Sequence, residues 1–254
     1  MLPETMPVCP VRGSVIYPTM VMPIDAGRPI SIRAIDEALA RDRVLLIVSQ
    51  RDKEVETPRP SDLFEVGTAC NILKMRKNPD GSVQVLVQAF ARVRVREWLD
   101  LGDHLEARGE VLADEPGEPI LVKALVREVK DKFQALLKEG KYLAPEVAQF
   151  ILNLEDPSQL ADYVAFHMDF RLEDKQKVLE TANVAERLRA VLVLLEAELA
   201  LIETQRRIQQ QVKEEIDRNQ REYFLREQMK AIQRELHGEE GEQEVEEFRR
   251  KLEA

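Results

Sequence analysis

The spacing of apolar residues along this chain changes character near residue 115. Before that point apolar positions alternate with a period of two or form short runs. After it they recur every three or four residues. Met6 to Val11 and Val21 to Ile24 are short apolar pieces separated by Arg12-Gly13 and Tyr17-Pro18, which predicts strands joined by irregular turns. Ile32, Ile35 and Leu39 fall at i, i+3 and i+7 within Ser31 to Ala40, the mark of a short amphipathic helix lying on the sheet. Val44 to Val48 is a continuous apolar run of strand length, expected inside the sheet with both faces covered. Arg51 to Asp62 reads as a charged loop and Phe64 to Lys74 as a strand. Asn78-Pro-Asp-Gly81 has proline second and glycine fourth, as a type I turn requires, so a hairpin follows. On its return strand Val83, Val85 and Val87 alternate with Gln84, Leu86 and Gln88, and Val93 and Val95 alternate with Arg92, Arg94 and Arg96.

Ala113-Asp-Glu-Pro-Gly-Glu-Pro119 combines acid, glycine and two prolines and marks the boundary between the two patterns. Val122, Leu125, Val129, Phe133 and Leu136 then make a helical stripe that stops at Gly140. Pro145 opens another helix with Val147, Phe150, Ile151 and Leu154 on one face, and Leu160 to Met168 and Glu173 to Thr181 complete a compact bundle. None of the 80 residues between Pro157 and Gly238 is proline or glycine. Within that window Asn183-Val-Ala-Glu186 has an N-cap residue with glutamate three positions later, which predicts a helix from near Val184 to His237.

Along that helix Leu188, Leu192, Leu195, Leu199 and Ile202 can pack into the bundle. From Glu203 to Glu222 only Ile208, Val212 and Ile216 are apolar, too narrow a stripe for a globular core, so this section is expected in solvent. Tyr223, Phe224, Leu225, Met229, Ile232 and Leu236 then resume an apolar seam, expected to serve self-association or docking on a following domain. A helix folded back on itself near residue 205 is the alternative. Glu239 to Glu247 holds six glutamates and reads as an acidic linker, with Phe248-Arg-Arg-Lys-Leu252 as the start of another helix. The expected organisation is therefore α+β: a β-rich unit over 1–115, a helical bundle over 120–200, a long helix over 184–237 projecting from about 203, and a linker with the start of a further element over 238–254.

Composition narrows the function. With 254 residues, 44% apolar and 33% charged, the chain is long enough for ordinary cores, and its net charge of -10 argues against a general polyanion binder. Cys9 and Cys70 lie far apart with no CxxC spacing, as expected of reduced, buried thiols. The longest strictly apolar run, Ala190 to Leu195, is far short of the roughly 20 residues that span a bilayer, so no membrane contact and a cytoplasmic location are expected. The amino end carries prolines where a signal peptide has its apolar helix.

No phosphate-binding Gly-x-x-x-x-Gly-Lys-[Ser/Thr] loop occurs, and no serine stands in a Gly-x-Ser-x-Gly context. His104, His167 and His237 show no metal-ligand spacing and read as surface or capping residues. No catalytic residue, metal site or cofactor is predicted.

Two binding surfaces remain. Tyr17, Met20, Val21, Met22 and Pro23 form a proline-bounded piece held out of regular pairing, whose methionines suit varied apolar partners. It reads either as a contact for unfolded chains or as a core-facing segment under the first helix. Arg92, Arg94 and Arg96 would stand in a row on one sheet face near Lys74, Arg76 and Lys77. They read as a charged solvent face or, more weakly, as a nucleic-acid contact, since no aromatic residues interleave them.

Several of these stretches, taken together, resemble a known family. Pro7-Val-Cys-Pro-Val-Arg-Gly13, Tyr17-Pro-Thr-Met-Val-Met-Pro23, Asp62-Leu-Phe-Glu-Val-Gly-Thr68 and Asp80-Gly81 before Val85-Leu-Val-Gln88 are similar to the amino-terminal domain of bacterial Lon proteases. Asp156-Pro-Ser-Gln-Leu-Ala-Asp162, Asp174-Lys-Gln-Lys-Val-Leu179 and Gln220-Arg-Glu-Tyr-Phe-Leu-Arg-Glu-Gln-Met-Lys-Ala-Ile-Gln-Arg-Glu-Leu236 extend the resemblance over essentially the whole chain. Gly13 departs from the pattern, because many relatives carry a charged or small polar residue there.

The resemblance implies a PUA-like, β-rich substrate-binding domain, a helical bundle and a long helix leading to an ATPase ring. It implies a parent that is a cytoplasmic, homohexameric, ATP- and Mg-using serine protease with a Ser-Lys dyad, acting on misfolded and regulatory proteins. Neither the ATPase module nor the dyad lies in these residues, so this stretch is expected to recognise unfolded or damaged proteins, or alternatively to scaffold assembly and gate the entrance.

Overall fold

The computed structural model describes residues 2–140 and 143–252, and for 236–246 the backbone alone. In chain order the elements are β1 (Met6–Val11), β2 (Val21–Ala26), α1 (Pro29–Ala40), β3 (Val44–Ser49), β4 (Val66–Lys77), β5 (Val83–Asp100), β6 (Leu105–Val111), α2 (Pro119–Lys138), α3 (Pro145–Asn153), α4 (Pro157–His167), α5 (Leu172–Glu180) and α6 (Val184–Leu252). The class is α+β, with strands first and helices after, and Met1–Leu199 and Ala200–Ala254 are two separate units.

The strand order is β2-β5-β4-β3-β1-β6, and β6 also pairs with β5. That second pairing closes β5, β4, β3, β1 and β6 on themselves and leaves β2 as the only open edge among the described strands. Met6, Val8, Val44, Leu46, Val48, Ala69, Val93, Val95, Leu105 and Ala107 make one buried cluster, from one face of all five closing strands. Cys9, Leu45, Ile47, Cys70, Ile72, Val83, Val85, Val87 and Ala89 make another on the opposite face, against Ala34, Ile35 and Ala38 of α1. β3 contributes alternate residues to both clusters, which is why its apolar run is continuous.

β5 changes faces midway. Val83 to Ala89 send their odd-numbered side chains under α1, whereas Val93 and Val95 join the other cluster, an inversion impossible for a regular strand. The cause is a bulge at Phe90. Ala89 pairs with Cys70 and Ala91 with Ala69, so Phe90 has no partner in the ladder.

The β4–β5 hairpin turns as its sequence predicts. Gly81 has φ +86° and donates its N–H to the Asn78 carbonyl at 3.1 Å. Gly13 has φ +64°, a left-handed conformation that accounts for glycine where a longer side chain would be strained.

Four helices, α2 to α5, lie between the strands and α6, as expected. Asp156 caps α4 by accepting from the N–H groups of Ser158 and Gln159, and Asn183 caps α6 by accepting from those of Ala185 and Glu186. Side chains from 203 to 235 are all exposed. The helix does not end at His237, nor does an acidic linker follow it. It continues through Gly238 and Gly241 to Leu252. Glutamate is among the better helix formers, so a glutamate-rich segment can absorb two glycines that each cost about 1 kcal/mol.

Candidate functional site

The open strand β2 carries the first candidate surface. Its register sets Val21 opposite Gln88, Met22 opposite Val87 and Pro23 opposite Leu86. The Ala89 N–H donates to the Met20 carbonyl at 2.8 Å, which fixes the phase of the ladder. Met22, Ile24 and Ala26 therefore turn their backbone groups towards β5, and Val21, Pro23 and Asp25 turn theirs towards the open edge. Proline is thus compatible with pairing here, because its missing N–H falls on the side without a partner strand. The expectation that prolines hold this piece out of regular pairing is corrected on that ground.

Side-chain placement divides the five predicted residues. Val21, Pro23 and Leu86 share the outer face by register, with Val21 54% exposed and Lys74 opposite Leu86 on the other flank. The bulge residues Leu73 and Phe90 are exposed as well. Asp25 accepts from Gln84 Nε2 at 2.8 Å at the end of this face.

Tyr17, Met20 and Met22 point elsewhere. Tyr17 is fully buried and its hydroxyl donates to the Lys175 carbonyl at 2.8 Å, while Met20 is 4% exposed. Met22 is half-buried against the cluster under α1. The methionines are therefore not the exposed residues of this piece; Val21 and Pro23 are, with half-buried Leu86 beside them, a residue that sequence reasoning missed. Its signal was Leu86 itself, an apolar residue at a polar-face position of the return strand.

The bulge at Phe90 moves the arginines away from the face of Leu86 and Gln88, and a second register shift, against β6, falls at Arg96. Arg92 is 4% exposed and donates from Nη2 to both oxygens of Asp162 on α4, at 2.5 and 2.6 Å. Its Nη1 reaches Asp114 at 3.3 Å and its Nε the Leu179 carbonyl at 3.2 Å. Arg187 of α6, also buried, donates to Asp114 at 2.6 Å, to Ser158 Oγ at 2.7 Å and to the Thr181 carbonyl at 2.8 Å. Gln176 of α5 donates to the Val66 carbonyl at 2.8 Å. This polar cluster joins the sheet to the helices within the first unit.

Burial pushes the Asp162 carboxyl up to about 6, against the pull of Arg92 and Arg187. Burial also works to raise Asp114, but hydrogen bonds from Arg187 and Ser158 prevail and hold it below the usual range. Arg96 is exposed and paired with Glu110, and Arg94 is half-buried. Arg92 is thus set apart from Arg94 and Arg96 by burial and cannot contact a phosphate backbone.

Other candidate chemistry is accounted for internally. Cys9 and Cys70 are buried thiols, pushed up by burial, to about 11 for Cys9. His104 is buried rather than on the surface, its Nδ1 2.7 Å from Asp103 and its Nε2 3.3 Å from Glu106. His167 stacks on Tyr163 with ring centroids 6.4 Å apart, and the side chain of His237 lies outside the described residues. Among the described residues no group of three or more His, Cys, Asp or Glu is placed to hold a metal ion, and no helix is long and apolar enough to cross a membrane.

On α6, Tyr223 (69% exposed), Phe224, Leu225, Met229 (61%) and Ile232 present their side chains to solvent. Leu236 lies outside the residues whose side chains are described.

A closed strand unit with Val21 and Pro23 exposed at its edge is thus joined by buried ion pairs to a helical bundle. A family model described as the ATP-dependent protease La (LON) substrate-binding domain matches residues 5–197, and the chain belongs to that family. It is 38% identical over 249 residues to a Lon protease of Brevibacillus choshinensis, covering 98% of this chain and 32% of that protein. It is 41% identical over 230 residues to the Lon protease of Escherichia coli strain K12, covering 91% of this chain and 29% of that one. The chain thus spans about a third of the length of the curated relatives it matches. Among solved structures, the N-terminal domain of Mycobacterium avium complex Lon protease matches with a TM-score of 0.64 and 26% identity, over 76% of this chain and 98% of that one.

Proposed function

We propose that this chain is the substrate-capturing region of a longer ATP-dependent protease of the cytoplasm, and that the Val21–Pro23–Leu86 face takes up apolar segments of unfolded, damaged or degron-bearing proteins. The single observation that carries the assignment is the exposure of Val21 and Pro23 on the strand at the sheet edge, with the half-buried Leu86 of β5 beside them in register. Membership of the substrate-binding family supports it. Because Pro23 removes one outward N–H, capture works through side-chain contacts on the face and not by adding a substrate strand to the edge. ATP, magnesium and proteolysis belong, in this reading, to parts of the parent beyond these residues. Crosslinking a photoreactive unfolded polypeptide to the chain tests it: labels on β2 and β5 are expected, and labels absent from both strands contradict it.

A second reading is favoured by the exposed seam of Tyr223, Phe224, Met229 and Ile232. In it α6 associates with copies of itself, as part of a hexamer in the parent, and spaces the entrance to the ring. Sedimentation at several concentrations, with and without Met229→Glu and Ile232→Glu, separates the readings, because only the second predicts association lost with those changes.

A further inference from the structure

We propose that the cleft between the Arg94 stretch of β5, the start of β4 and the end of α5 is a binding site for a small oxyanion, a carboxylate or phosphate group, with the Arg94 guanidinium as its principal donor. The cleft has a volume of about 490 Å³, and the guanidinium-bearing residues Arg51, Arg94 and Arg96 all line it. Two of the three are already held. Arg51 lies over the Phe64 ring, 4.6 Å from its centroid, and donates Nε to the Leu63 carbonyl at 3.0 Å; Arg96 is paired with Glu110.

Arg94 is different. It is half-buried, it has no hydrogen bond or ion pair among the described residues, and only a longer-range attraction links it to Glu110. Bringing three guanidinium groups to one cleft costs like-charge repulsion, and a bound oxyanion relieves it while filling the free fork of Arg94 with two parallel N–H···O bonds. Glu65 and Glu180 line the same cleft, and Glu180 is engaged by the Gln176 amide at 2.8 Å. Two glutamates line the cleft beside the three arginines and Glu110 already pairs with Arg96, so the cleft offers one guanidinium without a partner among the described residues. That suits one small anion and is too little positive charge to hold a long polyanion, which distinguishes the site from a nucleic-acid groove. The site does not depend on the role given to the Val21 face.

The oxyanion has two possible sources, an acidic group of a bound polypeptide or a free phosphate ion. Arginine Nε–H NMR signals of the whole chain, titrated at constant ionic strength, separate them. The probes are inorganic phosphate and one short peptide carrying either a free or an amidated carboxyl terminus. A saturable shift of the Arg94 signal is expected, and the affinity read from the Arg51 and Arg96 signals of the same cleft is weakened about tenfold or more by Arg94→Gln, as loss of a charge-assisted fork requires. The Arg92 signal stays unmoved, because its fork is already filled by Asp162. Saturation by the free-acid peptide but not its amide identifies a polypeptide carboxylate, and saturation by phosphate alone identifies the free ion. A shift that rises linearly without saturating, or equal affinity in an Arg94→Gln chain of unchanged melting temperature, overturns the proposal.

Discussion

Arg92 on the sheet and Asp162 on the helical bundle, 70 residues apart in sequence, meet through one guanidinium nitrogen shared by both carboxylate oxygens at 2.5 and 2.6 Å. Both side chains are withdrawn from water, so either one alone would be a buried charge left with a single, longer partner, Asp114 for Arg92 at 3.3 Å or Arg187 for Asp162 at 3.9 Å. Asp162→Ala or Arg92→Ala is therefore expected to destabilise the chain by about 3–5 kcal/mol each, whereas Arg92→Met combined with Asp162→Leu recovers most of the loss. Urea unfolding of the two single variants and the double variant checks this; additive losses in the double variant contradict it.

The same pair makes stability depend on pH in a direction opposite to most carboxylates. Because burial raises the folded-state value of Asp162 to about 6, its contribution is fully present below the unfolded value of about 3.9 and is lost as pH rises through about 6. The stability difference between the native chain and Asp162→Asn is expected to shrink from pH 4 to pH 7. Asp114, held low, acts in reverse, its contribution present above the unfolded value and lost as pH falls through the lower folded value. Thermal unfolding of Asp162→Asn across that range measures the first effect, and a difference that does not change with pH contradicts it.

Met20 and Val21 are neighbours with opposite environments, so the same class of substitution separates core from surface. Met20→Ala is expected to cost about 2–5 kcal/mol through a buried cavity. Val21→Ser is expected to change stability by about 1 kcal/mol or less. Chemical denaturation of the two variants gives the comparison, and equal losses would place Val21 in the core.

Pro23 faces the open edge of β2 with no N–H to offer. Pro23→Val restores that donor and lengthens the pairing surface, so self-association through the edge is expected to rise. Sedimentation equilibrium of the variant measures it, and a chain no more associated than the native one shows that something other than proline protects the edge.

Which parts of this arrangement were legible in the sequence follows from what each depended on. The continuous run Val44 to Val48, the Asn78 to Gly81 turn and the Asn183 cap are local signals, and each element lies where those signals placed it. The face of Arg92 was not legible. Alternation put it beside Gln88 and Leu86, and one unpaired residue, Phe90, moved it to the opposite side, where Asp162 becomes reachable. No local pattern near Phe90 announces a bulge, since its placement is set by pairing with β4.

The capture surface was half legible for a related reason. Tyr17 to Pro23 was recognisable as a segment, but which side chains face outward depends on the phase of β2 against β5. That phase buried Met20 and exposed Val21 and Pro23. The end of α6 is not legible because Gly238 reads as a stop and the glutamates after it as a linker, whereas those glutamates keep the segment helical.

The central claim, that apolar segments are taken up on the Val21–Pro23–Leu86 face, is tested most directly by the affinity of the whole chain for a fluorescent, permanently unfolded polypeptide. Val21→Ser combined with Leu86→Ser is expected to weaken binding about tenfold or more while the melting temperature stays close to native, and Met229→Glu combined with Ile232→Glu is expected to leave it unchanged. Unchanged affinity in the first pair, or a loss confined to the second, contradicts the account.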